Sequence, residues 1–286
     1  MSEFWSKKVQ SSELLYYSRL EKFNDENKNL WFRLLHVRKN LKILEVGCGG
    51  GLFTNMIKKY YPSCEVYGID LDENHIKFAR NECKKQNLKV NYQVADIKNL
   101  PFKDESFDLV FSHTVVEHLP FDDFIKEQKR VLKTGGKLVI MRVDMIKKND
   151  QPFMYLEDEV NSVYGEMVFG DRPKVGSYLE EPNLTMQKLN KYRFKNIKFN
   201  YDRILYYMPD CAENKKIALN QIERNYKVKL YFALSSLDNA QNGEKLREKL
   251  LNLLKKQYEK RVEIYNSGEK IFDFQSSLLI TISAKK

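Results

Sequence analysis

The chain has 286 residues, a formal net charge of +10, 42% hydrophobic and 31% charged residues. That is the balance of a folded domain with a sizeable core, and it excludes a disordered or fibrous chain. Met1 to Gln10 has no apolar signal core and no stretch nears a membrane span, so the expectation is a cytoplasmic protein.

The basic balance leaves nucleic acid open as a partner, but lysines dispersed among glutamates favour a solvated surface. Cys48, Cys64, Cys83 and Cys211 show no Cys-x-x-Cys spacing, so reduced thiols and no metal site are expected.

Residues 2 to 38 place Phe4, Trp5, Leu14, Leu15, Tyr16, Tyr17, Leu20, Phe23, Leu30 and Trp31 at helical spacings, a helical lid over residues 1–40. Ile43 to Gly51 then reads Ile-Leu-Glu-Val-Gly-Cys-Gly-Gly-Gly and opens onto the helix-like Leu52 to Tyr60: strand, tight turn, helix start. A dinucleotide fingerprint Gly-x-Gly-x-x-Gly would need glycine where Leu52 stands. A second strand, 65–69, ends in Asp70, and a helix follows over 73–86. A third strand, 90–94, leads into Ala95-Asp96-Ile97; a fourth, 107–112, into His113. A helix over 121–133 and a strand over 137–143 follow the turn Leu100 to Ser106 and Glu117-His118-Leu119-Pro120. Such alternation predicts a doubly wound, mostly parallel sheet with helices on both faces.

In this order, Glu45-x-Gly47-x-Gly49-x-Gly51, Asp70, Asp96, the run Leu100 to Ser112, Val116 to Pro120 and Arg130 to Ile140 resemble class I S-adenosylmethionine-dependent methyltransferases. The likeness lies with the ubiquinone- and menaquinone-biosynthesis-type branch and covers about residues 40 to 144. It implies a seven-stranded Rossmann-like sheet and S-adenosyl-L-methionine as cofactor. It also implies a cofactor site drawn from Glu45, Gly47, Cys48, Gly49, Gly51, Asp70, Leu71, Asp96, Ile97, Ser112, His113 and His118, closed by an aromatic of the lid, Tyr16 or Tyr17. Asp70 would take the ribose hydroxyls and Asp96 the adenine amino group.

After Asp144 the pattern breaks. Residues 145–182, with Gly165, Gly170, Gly176, Pro152, Pro173 and Pro182 among aromatics, read as an irregular active-site excursion. A helix over 184–192 and a strand over 194–207 follow, the strand alternating Ile197, Phe199 and Tyr201 against Lys198, Asn200 and Asp202. The last strand is Ser277 to Ala284. Between these strands the resemblance implies a short connection, yet 210–268 is helical in character, a stripe from Leu246 to Tyr265 included, and reads as an inserted cap or a dimerising pair. The core is then 41–209 with 269–286.

Methyl transfer from a sulfonium needs chiefly collinear placement, with a general base optional. His113, after the fourth strand, is the candidate catalytic base or a wall of the cofactor site; His118 is weighed as wall or structure. Tyr155, Tyr164, Phe169, Tyr178, Tyr206 and Tyr207 are candidates to line the acceptor pocket. The expectation is methyl transfer to an oxygen, nitrogen or carbon of a small molecule. RNA or protein modification and a non-catalytic cofactor-binding scaffold are the alternatives, and a homodimer is possible.

Overall fold

The computed structural model describes residues 4–145, 155–170, 176–178 and 180–286; the side chains of Met145, Tyr155 and Leu156, and Pro152 and Pro173, lie outside them. Seven strands form one sheet: β1 Lys42–Val46, β2 Glu65–Asp70, β3 Asn91–Val94, β4 Phe107–His113, β5 Leu132–Met145, β6 Lys195–Tyr207 and β7 Gln275–Lys285. Their order is β3-β2-β1-β4-β5-β7-β6, with β7 antiparallel to both β5 and β6 and the others parallel. The doubly wound, mostly parallel sheet read from the alternation is therefore the fold.

Alternate residues of each strand serve opposite faces. Ile43, Val66, Phe111 and Met141 join the cluster beneath helices α2 Ser12–Lys22, α3 Lys28–Leu34 and α4 Leu52–Tyr60. Leu44, Val110, Leu138 and Ile140 join the cluster beneath α6 Phe121–Val131 and α8 Pro182–Lys191. Because both faces are covered, Ile43 to Val46 is buried without interruption, as a central parallel strand requires. Helix α5 Glu73–Lys85 packs Ile76, Ala79 and Cys83 against Tyr92 of β3. The short α1, Phe4–Lys8, precedes α2.

Strand β6 differs from its expected face. Phe199 and Tyr201 are 42% and 57% exposed, whereas Ile204 and Tyr206 are buried. It is the outer strand of the sheet, and Ile204 and Tyr206 sit in the cluster beneath α2 while α8 on the other face reaches only as far as Ile197.

The excursion is not wholly irregular. It carries α7, Tyr155–Gly165, whose Val160 and Val163 pack with Ala233, Leu237, Leu250 and Leu254 of the two long helices α9 Lys215–Asn239 and α10 Gly243–Ser267. Glu157 accepts from Lys229 and Gln257, tying the three helices through polar side chains as well. The insertion and the excursion thus share one core, a small helical unit beside the sheet. Its base is held by Arg261, buried between Asp210 at 2.9 Å and Asp273 at 2.8 Å. The backbone N–H groups of Ile271 and Phe272 also donate to Asp210, so both ends of the insertion meet at one ion cluster.

The same unit grips the lid. Tyr231 of α9 stacks on Tyr17 of α2 at 5.0 Å, Asn225 donates to Glu21 at 2.8 Å, and Arg224 pairs with Glu26 at 2.7 Å. Among the described residues no helix is long and apolar enough to cross a membrane.

Candidate active site

Strand order reverses at β1, with β2 on one side and β4 on the other, so the carboxyl ends of β1 and β4 flank a crevice. The glycine turn fills the β1 side. Gly47, Gly49 and Gly51 have φ of +69°, +53° and +77°, the left-handed region where a side chain is strained. Cys48 N–H donates to Ile69 O and Gly51 N–H to Cys48 O, closing the turn and starting α4. A Cβ on Gly47 would lie 2.5 Å from Val115 Cγ2, and one on Gly49 2.5 Å from Leu15 Cδ2 of the lid. One on Gly51 would strike the Tyr92 hydroxyl, itself 2.6 Å from Thr54 Oγ1 and 2.9 Å from Asn55 Oδ1. The Cys48 thiol is buried with Ile76, Ala79 and Tyr92, so it serves the packing of α5.

Two carboxylates lean on this turn. Glu45 is buried and accepts from Thr54 N–H in the first turn of α4; burial pushes its carboxyl up to about 8, against the opposing pull of Arg19. Asp70 accepts from Gly49 N–H through Oδ2 at 2.8 Å and from Asp72 N–H through Oδ1 at 2.9 Å. Burial works against its charge, but His75 and these donors outweigh burial and hold its carboxyl below the usual range. Leu71, next in sequence, leaves 46% of its surface exposed beside it. Asp96 is half-buried and accepts from Lys98 N–H at 2.9 Å, while Ile97 packs into the second sheet face.

Sequence reasoning missed Arg19. It rises from α2 against the glycine turn, with Nη1 3.6 Å from the Cβ position of Gly49. Its Nε donates to His113 Nδ1 at 3.1 Å and its Nη2 to Thr114 Oγ1 at 2.9 Å. No carboxylate of a described residue reaches ion-pairing distance, although Glu45, Asp70 and Glu117 act on it from further off. Burial lowers its pKa, but a guanidinium stays charged. A signal was available: Leu15, Arg19 and Phe23 share one helical stripe, and a cation interrupts its apolar run.

His113 is buried between Phe23 at 5.2 Å and Phe53 at 5.1 Å. Arginine only donates, so Nδ1 is an acceptor and the ring proton sits on Nε2, which has no partner among the described residues. Burial, with Arg19 and Lys22, drives its pKa well below the ordinary value. This is a neutral hydrogen-bond donor, the wrong tautomer for a base acting through Nε2. Ser112, also buried, has no partner for its Oγ among the described residues. His118 accepts from Gly176 N–H at 3.2 Å and lies 4.6 Å from the Trp5 ring, joining α1 to the excursion. Glu117 has a buried Oε2 without a partner among the described residues, and burial raises its pKa.

Tyr16 packs over Gly50 and on Phe78 at 5.4 Å, and the lid residue meeting Gly49 is Leu15. Of the aromatics expected in an acceptor pocket, Tyr206 and Tyr207 are in the core, and Tyr164 and Phe169 pack against the helical unit. Tyr178 is exposed. The placement of Tyr164 and Phe169 follows from the helical unit needing its own apolar core. Among the described residues no three His, Cys, Asp or Glu side chains are grouped to hold a metal.

Residues 44–140 match the methyltransferase domain family. Over 137 residues the chain is 34% identical to the ubiquinone biosynthesis O-methyltransferase of Coxiella burnetii, covering 48% of this chain and 54% of that one. Over 108 residues it is 38% identical to the norajmaline N-methyltransferase of Rauvolfia serpentina, 36% of each chain. The chain therefore matches about half the length, or less, of these curated relatives. In three dimensions it is similar to phosphoethanolamine N-methyltransferase 2 of Haemonchus contortus, solved with S-adenosyl-L-methionine, with a TM-score of 0.58 at 18% identity over all of this chain and 60% of that one. At that identity the likeness is one of fold.

Proposed function

We propose that this chain, which matches the methyltransferase domain family over residues 44–140, binds S-adenosylmethionine at the β1 and β4 ends and transfers its methyl group to a small-molecule acceptor. One observation carries the reading: around a glycine turn whose one side chain, that of Cys48, is packed under α5, Asp70 offers an ionised carboxylate and Arg19 a half-buried cation with no carboxylate partner among the described residues. That pair complements a ligand with vicinal hydroxyls at one end and a carboxylate at the other. The cofactor supplies an electrophilic methyl on a sulfonium, a leaving group of its own. The chain's share is placement. Asp70 fixes the ribose end, Arg19 the amino-acid end, and Leu15 and Val115 keep water from the glycine backbone.

A small-molecule acceptor is favoured by the segment at the end of β4, Ser112-His113-Thr114-Val115, which lacks the acidic or Asn residue before Pro-Pro-aromatic found in base-amine methyltransferases. A cytoplasmic location belongs to the same reading and rests on the four unpaired cysteines. A homodimer would have the exposed outer strand β6 as its available edge.

Calorimetric titration tests the cofactor. S-adenosylhomocysteine should bind at micromolar concentration and NADH should not, and Asp70→Ala should weaken the former at least about tenfold, the loss of charge-assisted hydrogen bonds. NADH binding with no response to S-adenosylhomocysteine would remove the reading.

His113 acts here as the anchor of Arg19. His113→Ala is then expected to weaken cofactor affinity about tenfold, the scale of one hydrogen bond to a charged group. Separate measurement of Kd and kcat checks this: unchanged Kd with a strongly reduced kcat would restore His113 as a base.

A further inference from the structure

His75 stands in the first turn of α5, five residues after Asp70, and is 4% exposed. Its Nδ1 lies 3.6 Å from Asp70 Oδ1 and its Nε2 3.4 Å from Gln10 O. Both neighbours are oxygen acceptors. A neutral imidazole has one N–H and one lone pair, so in either tautomer one oxygen would face a lone pair; the imidazolium alone has a donor for each. Gln10 belongs to the segment joining α1 to α2, and α1 itself is tied at the same point. Ser6 donates from N–H and Oγ to Asp72 at 2.8 and 2.9 Å, Asn74 donates to Ser6 Oγ at 3.0 Å, and Trp5 lies on His118. Residues 4–10 thus form a strap linking the β2 end to the β4 end across the mouth of the crevice.

We propose that His75 is a charged positioning residue that sets the Asp70 carboxylate for ribose hydroxyls and fastens the strap beside it, making cofactor affinity depend on the His75 proton. The inference rests on the cofactor reading above. The groups facing the ring agree with it: Asp70 and Asp72 from the end of β2 and the Gln10 carbonyl from the strap. Burial opposes the charge, but these three outweigh it and raise the His75 pKa above its ordinary value. His36, His113 and His118 are all lowered, so His75 is the last of the four histidines to lose its second proton. The sign follows. With a raised folded pKa, the tie is complete below about pH 6.5 and is lost as pH rises through the raised value.

The test has two arms. Nitrogen NMR of the wild-type histidine rings should show one doubly protonated imidazole at pH 7 and three neutral ones. Calorimetry with S-adenosylhomocysteine from pH 6 to 9 should show wild-type affinity falling about tenfold, the equivalent of one pKa unit, while Trp5 fluorescence shifts over the same range. Glu45 titrates near 8 in that window, so the comparison is with His75→Leu, which keeps Glu45: it should bind more weakly at pH 6 and lose most of the slope. A single neutral tautomer at His75 at pH 7, or an unaltered slope in His75→Leu, overturns the proposal. If folded wild-type protein binds no S-adenosylhomocysteine at any pH, the cofactor reading falls instead, and the NMR arm still decides the charge of His75.

Discussion

Arg19→Met should weaken S-adenosylhomocysteine binding by about a hundredfold or more while leaving the melting temperature unchanged or higher. The two halves of that result have one cause. A half-buried cation with no carboxylate partner among the described residues carries a desolvation penalty in the unliganded protein. Among the described residues three neutral acceptors, His113 Nδ1, Thr114 Oγ1 and the Leu15 carbonyl, offset it at close range. Methionine keeps an apolar stem at that position of α2 and removes the penalty. The ligand's carboxylate then loses its partner, a truncation that costs about 2–5 kcal/mol where a charged pair is desolvated, and about 1.4 kcal/mol is tenfold. Thermal unfolding with and without S-adenosylhomocysteine reads both quantities. A lower unliganded melting point with unchanged affinity would make Arg19 a structural residue and detach it from the site.

Gly51→Ala should cost about 2–5 kcal/mol of folding stability and abolish cofactor binding. The backbone there has φ of +77°, about 1–2 kcal/mol uphill for alanine. The added methyl also meets the Tyr92 hydroxyl, whose displacement disturbs its bonds to Thr54 and Asn55 in a fully buried site. Leaving such groups unsatisfied adds about 1–3 kcal/mol. Gly135→Ala is the control, because it has the same φ of +77° with nothing within 4 Å of the added carbon, and it should lose only the conformational part. Urea titration of the two variants separates strain from collision. Equal destabilisation would show that the Tyr92 contact counts for nothing.

The glycine turn and Asp70 were legible because each is local. Glycines follow a five-residue strand with Ile43, Leu44 and Val46, and an acid ends the next one, so short-range spacing is enough to put them on one rim. The outer strand β6 misled for the opposite reason: its alternation is real, but which face is buried depends on how far α8 reaches beside it. The candidate acceptor aromatics failed likewise, since Tyr164 and Phe169 look available in the sequence until α7 is seen packed on α9 and α10.

Order and spacing along the chain by themselves determined the βα alternation, the glycine turn with the acid at the end of β2, and the helical character of the stretch before the last strand. Only the tertiary structure decided that Arg19, 94 positions from His113, enters the crevice, that His75 meets a carbonyl 65 positions away, and that the insertion clamps the lid. The physical reason is that periodicity records which face of an element is apolar, whereas a buried charge is placed by partners on other elements, whose approach no spacing along one helix encodes.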